Sequence, residues 1–322
     1  MHDASPALHP ALPPENPLAM PTQALSRFDE QTRRPPLINH PTPVFFRIVT
    51  FGGGLLLTGY GTFEMYKVVS VTSVTVLQWL LLALFSINFS WIALAFSSAL
   101  IGFFALLKKG TPPAPAAPLK ERTALVMPVY NETPSRVFAA LQAMIEDIEA
   151  LGQAHAFDVF VLSDTTDPNV WIAEERTFMA LRDRSGSTMA IYYRHRPRNI
   201  GRKSGNIEDF VTRWGGAYPF MLVLDADSLM SGDCIVGLAH AMENDPDAGI
   251  IQSLPLITNR NTFFARLQQF AARIYGPVIA TGLALWSGRE GNYWGHNAII
   301  RTKAFADHAG LPVLSGKPPF GG

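Results

Sequence analysis

The sequence predicts an α/β domain with a mostly parallel sheet, carried behind two membrane-spanning helices. Three observations lead there. Charged residues make up only 16% of the chain while hydrophobic residues reach 48%, against roughly 25% charged in an ordinary soluble domain, and the deficit is local. From Thr123 onward, short apolar runs alternate with helical patterns, as parallel βαβ units do. Polar clusters follow several of those runs, where parallel sheets bind their ligands.

Residues 1–43 are rich in Pro, Ala and His without apolar periodicity, which predicts a disordered cytoplasmic tail. No apolar core follows a basic start, so this is not a signal peptide. Ile48 to Phe63 is uncharged between Arg47 and Glu64. With Phe45 and Phe46 added and Arg47 snorkelling, it just reaches across a bilayer. Gly52, Gly53, Gly54, Gly59 and Gly61 would weaken a helix in water but permit close packing in lipid. A re-entrant or interfacial piece is the alternative. Val68 to Leu107 contains no charged residue and exceeds the roughly 20 residues that one span needs. A turn followed by one long or tilted helix satisfies it. The expected spans are therefore about 45–65 and 75–107, in a membrane region of 44–109. Arg33, Arg34 and Arg47 precede them and Lys108-Lys109 follow, so the positive-inside rule puts the tail and the large domain in the cytoplasm. A Pro/Ala linker, 110–120, leads into a domain over 121–322.

In that domain the buried-strand candidates are Ala124–Val129, Phe157–Leu162, Ala190–Tyr193, Phe220–Leu224 and Gly249–Ile251. Helices are expected over Arg136–Leu151, Val170–Arg184 and Thr302–His308, with Asp233 helping to start another. Phe263, Phe264, Phe270 and Tyr275 are expected to pack a helix against the sheet or the membrane surface. The stretch from Ser253 to Gly288 reads either as an amphipathic interfacial segment or as lining for an acceptor path.

Composition excludes several classes. The 26 basic and 26 acidic residues balance, giving no electrostatic reason to expect nucleic acid as a partner. The single cysteine, Cys234, rules out an internal disulfide and a Cys-rich zinc site, and reads as a small buried hydrophobe. There is no G-x-G-x-x-G, no Walker A spacing around Gly201-Arg202-Lys203-Ser204, and no H-E-x-x-H; His195 and His296 read as pocket or surface residues.

Four clusters remain. Pro128-Val129-Tyr130-Asn131-Glu132 follows the first strand, and Ser163-Asp164-Thr165-Thr166-Asp167 the second. Arg202-Lys203-Ser204-Gly205-Asn206 opens a helix, and Asp225-Ala226-Asp227 closes the strand after it. Any one could be a turn or a helix cap; four in this order are much harder to dismiss. Mg²⁺ or Mn²⁺ is bound through one or two carboxylates plus phosphate oxygens, and alternate side chains leaving a strand face one way, so Asp225 and Asp227 can share one ion. Lys203 and the metal would neutralise charge on a departing diphosphate. Asp164 is placed to accept hydrogen bonds from a base or ribose.

At these residues, over about Thr123 to Arg301, the chain resembles family 2 glycosyltransferases of the GT-A fold. The resemblance carries Pro128, Tyr130, Asn131, Glu132, Asp164, Lys203, Asn206 and Asp225 as nucleotide-sugar contacts, and Asp225 with Asp227 as metal ligands. Four longer strings, 124–132, 161–168, 199–206 and Tyr293-Trp-Gly-His-Asn-Ala-Ile-Ile-Arg301, resemble the membrane enzymes of osmoregulated periplasmic glucan synthesis. That closer resemblance implies UDP-glucose as donor, a glucan acceptor, inversion at the anomeric carbon, and a place in the bacterial inner membrane. Another processive synthase of the cellulose, chitin or hyaluronan type, or a non-catalytic nucleotide-sugar binder, is the alternative. Members of the family continue to a further Asp that acts as general base and to a Gln-x-x-Arg-Trp motif. The 322 residues contain neither, so the chain reads as an N-terminal portion with its base beyond Gly322. Alone it is expected to bind UDP-glucose weakly or not at all and to transfer nothing detectable.

Overall fold

The computed structural model describes residues 12–24, 41–71, 73–108, 117–185, 188–312 and 316. They form two units: an α/β unit drawn from 1–28, 113–253 and 293–322, and an apolar unit drawn from 29–112 and 254–292.

In the apolar unit, α1 (Pro41–Arg47) runs through a π-helical turn (Ile48–Gly52) into α2 (Gly53–Val69), and α3 (Val76–Lys108) follows a short turn. Thr42–Val69 and Val76–Lys108 are long and apolar enough to cross a membrane, so the first helix exceeds its expected bounds at both ends.

The α/β unit alternates β1 (Thr123–Val129), α4 (Pro134–Ala150), β2 (Phe157–Ser163), α5 (Pro168–Arg184), β3 (Ile191–His195), α6 (Arg202–Trp214), β4 (Phe220–Val223), α7 (Gly232–Asn244) and β5 (Ile250–Gln252). After α8 (Phe263–Ser287) in the other unit come β6 (Ala298–Arg301) and α9 (Thr302–His308). The sheet order is β3-β2-β1-β4-β6-β5. Pairs β3-β2, β2-β1 and β1-β4 are parallel, while β6 runs antiparallel to both β4 and β5. Burial of β1 and β2 on both faces explains their unbroken apolar runs. One face packs on α4 and α7 residues such as Leu141, Ile148 and Met242. The other packs on Phe210, Trp214 and Tyr218, around Phe160.

The structure departs from the sequence-based expectations in five places. Residues 12–24 lie against the α/β unit instead of forming a disordered tail: Leu12, Leu18 and Met20 pack on the second core face, and Asn16 N–H donates to the Arg213 carbonyl at 2.8 Å. Residues 1–11 and 25–40 lie outside the described residues. The expected linker lies outside them over 109–116, and its end belongs to the domain, because Leu119 is buried and its N–H donates to Gln153 Oε1 at 3.0 Å. The expected domain, 121–322, is interrupted, because 254–292 joins the apolar unit. There α8 crosses α3 at paired glycines: a Cβ on Gly102 would lie 2.0 Å from the Val278 carbonyl oxygen, and one on Gly282 2.1 Å from that of Ser98. On α8 of that unit, Phe263, Phe264, Phe270 and Tyr275 are exposed. Arg47 also makes contacts that the sequence does not predict, capping α8 by donating to the Trp286 and Ser287 carbonyls at 2.8 and 3.1 Å. Finally, β6 is a strand that the apolar runs do not predict.

Candidate functional site

The carboxyl ends of β1, β2 and β4 bring the four clusters to one edge of the sheet. Strand β6 completes the arrangement. Running antiparallel to β4, it carries the loop before it, 293–297, over the end of β4, where Asn297 N–H donates to the Val223 carbonyl at 2.8 Å. Gly295 takes φ +95° there, a conformation other residues rarely adopt.

Lys203 stands at the centre. Gly201 opens α6 at φ +69°, and a Cβ on Gly205 would lie 2.2 Å from the Ile200 carbonyl oxygen. The two glycines let the loop fold tightly onto the first turn of α6, the turn that carries Lys203. Ser204 Oγ donates to the Gly201 carbonyl at 2.7 Å and closes that turn. The Lys203 ammonium pairs with Asp225 and donates to the Gly295 carbonyl at 3.0 Å. Asp225 is half-buried and Asp227 exposed. The two do not leave an extended strand, as their spacing suggests. Strand β4 ends at Val223, and Ser228 N–H donates to the Asp225 carbonyl at 2.9 Å, closing a turn. Tyr293 lies close enough for the Asp225 charge to reach it. Although Tyr293 keeps 38% of its surface exposed, partial desolvation first, and then that negative charge, push its phenol up to about 12.

The β2 corner is differently built. Asp164 is 3% exposed, and both its oxygens accept from Arg196, at 2.7 and 2.6 Å. That bidentate bond raises the Arg196 pKa. Asp164 anchors a guanidinium in this arrangement. Arg194, also buried, is pushed down to about 10 by burial, against the opposing pull of Asp209 at 3.0 Å, and stays charged at neutral pH. Asn206 is 1% exposed. Its amide donates to the Leu162 carbonyl at 2.9 Å and accepts from Arg194 at 2.6 Å. It ties α6 to β2.

Of the first cluster, Tyr130, Asn131 and Glu132 are exposed and Pro128 sits half-buried within β1. Asn131 takes φ +54°, and its side-chain oxygen accepts from the N–H groups of Thr166 and Asp167, both at 3.1 Å. It is the stitch between the β1 and β2 ends. Beneath it lies Glu174, which no sequence signal singles out. This carboxylate is 2% exposed and accepts from Ser163 Oγ at 2.6 Å, Thr165 Oγ1 at 2.6 Å and the Tyr193 hydroxyl at 2.9 Å. With its proton directed to Glu174, Thr165 Oγ1 accepts from Asn131 N–H at 3.0 Å. His195 stacks on Trp171 and bonds the Thr165 carbonyl at 2.8 Å, which fixes its ring beside the same corner.

Among the described residues, no three His, Cys, Asp or Glu side chains gather to hold a metal ion. The Asp225 carboxylate beside the Lys203 ammonium, with the exposed Asp227 two residues on, offers the hard oxygen donors that Mg²⁺ or Mn²⁺ shares with a phosphate ligand.

Comparison with known proteins gives a consistent picture. The family model described as "Glycosyl transferase family 2" matches residues 124–309. A protein of Shewanella sp. (strain ANA-3) named glucans biosynthesis glucosyltransferase H is 53% identical over 315 residues, covering 97% of this chain and 43% of the relative. The protein of the same name from Vibrio cholerae is 50% identical over 314 residues, covering 97% and 44%. The chain thus spans less than half the length of these curated relatives.

Proposed function

The chain belongs to glycosyl transferase family 2, and from that premise we propose that its α/β unit binds the diphosphate of UDP-glucose for transfer of glucose to a growing β-glucan with inversion. The observation that carries this reading is the Lys203–Asp225–Gly295 constellation at the end of β4. A bound divalent ion, held by Asp225 and Asp227, would offset phosphate charge. Lys203, whose ammonium pairs with Asp225 here, would donate to the diphosphate as negative charge develops on the leaving group. Tyr130 and Glu132, exposed at the end of β1, belong to the same edge. Arg196, fixed by Asp164, and Asn131, fixed by Thr165, shape the nucleoside side. No residue of the chain is assigned as general base.

The membrane reading is part of the proposal. Residues 12–24 belong to the same unit as the domain after α3, so the two apolar helices cross as a pair or not at all. Together with the flanking Arg47 and Lys108, this supports two spans with the domain on the cytoplasmic face of the inner membrane. The test is calorimetric titration of UDP with Mn²⁺ into the protein extended to its relatives' length, in lipid nanodiscs. Saturable, metal-dependent binding that Asp225→Asn abolishes is expected. Binding indifferent to both metal and Asp225 would sink the reading. In the protein extended to its relatives' length, UDP-glucose should compete better than UDP-N-acetylglucosamine; the reverse order would move it to another synthase class.

A further inference from the structure

The Lys203–Gly295 contact joins two arms of the α/β unit whose far ends are both held by residues 12–24. One arm is α6, a rod of 13 residues, or about 20 Å. The other runs from the 293–297 loop through β6 into α9. At the far end of α6, Asn16 N–H donates to the Arg213 carbonyl at 2.8 Å and the Asn16 carbonyl accepts from Gly216 N–H at 2.9 Å. This satisfies a carbonyl that a helix end otherwise leaves without an intrahelical partner. Trp214 Nε1–H donates to the Pro13 carbonyl at 3.2 Å, and Glu15 pairs with Arg213 at 2.7 Å. At the far end of α9, Gln23 N–H donates to the Gly310 carbonyl at 2.7 Å and its side-chain amide to the Asp307 carbonyl at 2.8 Å.

The receiving surface is shaped for this segment. A Cβ on Gly216 would lie 2.4 Å from Asn16 Oδ1, and one on Gly310 2.2 Å from the Pro21 carbonyl oxygen. Pro13, Pro14, Pro17 and Pro21 limit the freedom that the free segment loses on docking.

We propose that residues 12–24 are a positioning strap that clamps the α6 and β6–α9 arms and thereby sets Lys203 against Asp225 and Gly295. The strap rests on the donor-site reading only for its consequence; its docking is independent of it. Two variants of the protein extended to its relatives' length, in nanodiscs, test it. Asn16→Pro with Leu18→Ser removes the strap's donor and its apolar anchor, while Gly216→Val obstructs the surface. Both should raise hydrogen exchange at the 203–206 and 295–297 amides, and weaken UDP–Mn²⁺ binding about tenfold. A synthetic peptide of residues 12–24 should restore affinity to the first variant and not to the second, which separates positioning from general destabilisation. Unchanged exchange and affinity in both variants, or failure of the peptide to restore the first, overturns the strap. If Gly216→Val does not fold, the strap variant and its peptide rescue still decide. If the unmodified protein, extended to its relatives' length, binds no UDP, the donor reading fails, while exchange and peptide binding continue to report on the strap.

Discussion

Asp164 and Asp225 leave two strands of one sheet and are held in opposite ways. Asp164 is enclosed, with both oxygens on Arg196 and a second buried acid, Glu174, on three hydroxyls nearby. Asp225 is half-open, with a flexible ammonium as its ion-pair partner and an exposed carboxylate two residues on. A buried charge held by a planar fork costs heavily if the fork is lost, whereas a surface pair costs little. The β2 corner is thus architecture that fixes a pocket wall. The β4 corner keeps its charges exchangeable, as a group that must trade one partner for a phosphate requires.

The contrast breaks most visibly in transfer. Asp225→Asn or Asp227→Asn, in the protein extended to its relatives' length, should lower glucose incorporation on the order of a thousandfold or more. The same changes should move stability by no more than about 1 kcal/mol. Arg196→Ala should do the reverse at the β2 corner, leaving the buried Asp164 charge only its longer 3.7 Å pair with Arg194, at a cost of about 3 kcal/mol. A thermal melt checks it, and a melt that Asp225→Asn lowers more than Arg196→Ala would erase the distinction. Glu174→Gln comes next, at about 1–3 kcal/mol, because an amide must present a donor where hydroxyl donors already converge. Exchange at the Asn131 amide should rise with it; a protected amide would detach Glu174 from the stitch.

Sequence carried the open corner better than the closed one. Lys203, Asp225 and the strand ends follow from apolar runs and the polar residues that stop them, a one-dimensional signal. Glu174 and Arg196 are charged letters within ordinary polar text, and their meaning comes from Ser163, Thr165, Tyr193 and Asp164, which only the parallel pairing of β2 and β3 assembles. Strand β6 is four residues long and reverses direction behind an irregular loop, so neither length nor alternation marks it. Residues 12–24 escaped because a proline-rich segment held partly through its backbone leaves no periodicity. The Tyr293-Trp-Gly-His-Asn string was the available clue to the loop over β4, and it spoke through resemblance alone.

The smallest effect is also the most local. The Tyr293 phenol is pushed up to about 12 by partial desolvation and then by Asp225, above the ordinary value near 10. Because its folded value is the higher one, the neutral phenol's contribution is complete below about pH 10 and lost as pH rises toward 12. Asp225→Asn should bring Tyr293 part of the way back, since it removes the second cause and leaves the first. Asp164→Asn should leave it where it is. The measurement is tyrosinate absorbance, taken as the difference between each protein and its Tyr293→Phe partner so that the other tyrosines cancel. Equal shifts from both aspartates would mean that Tyr293 senses general loosening and not the β4 corner. A shift from Asp225 alone ties the 293–297 loop to the carboxylate that Lys203 holds.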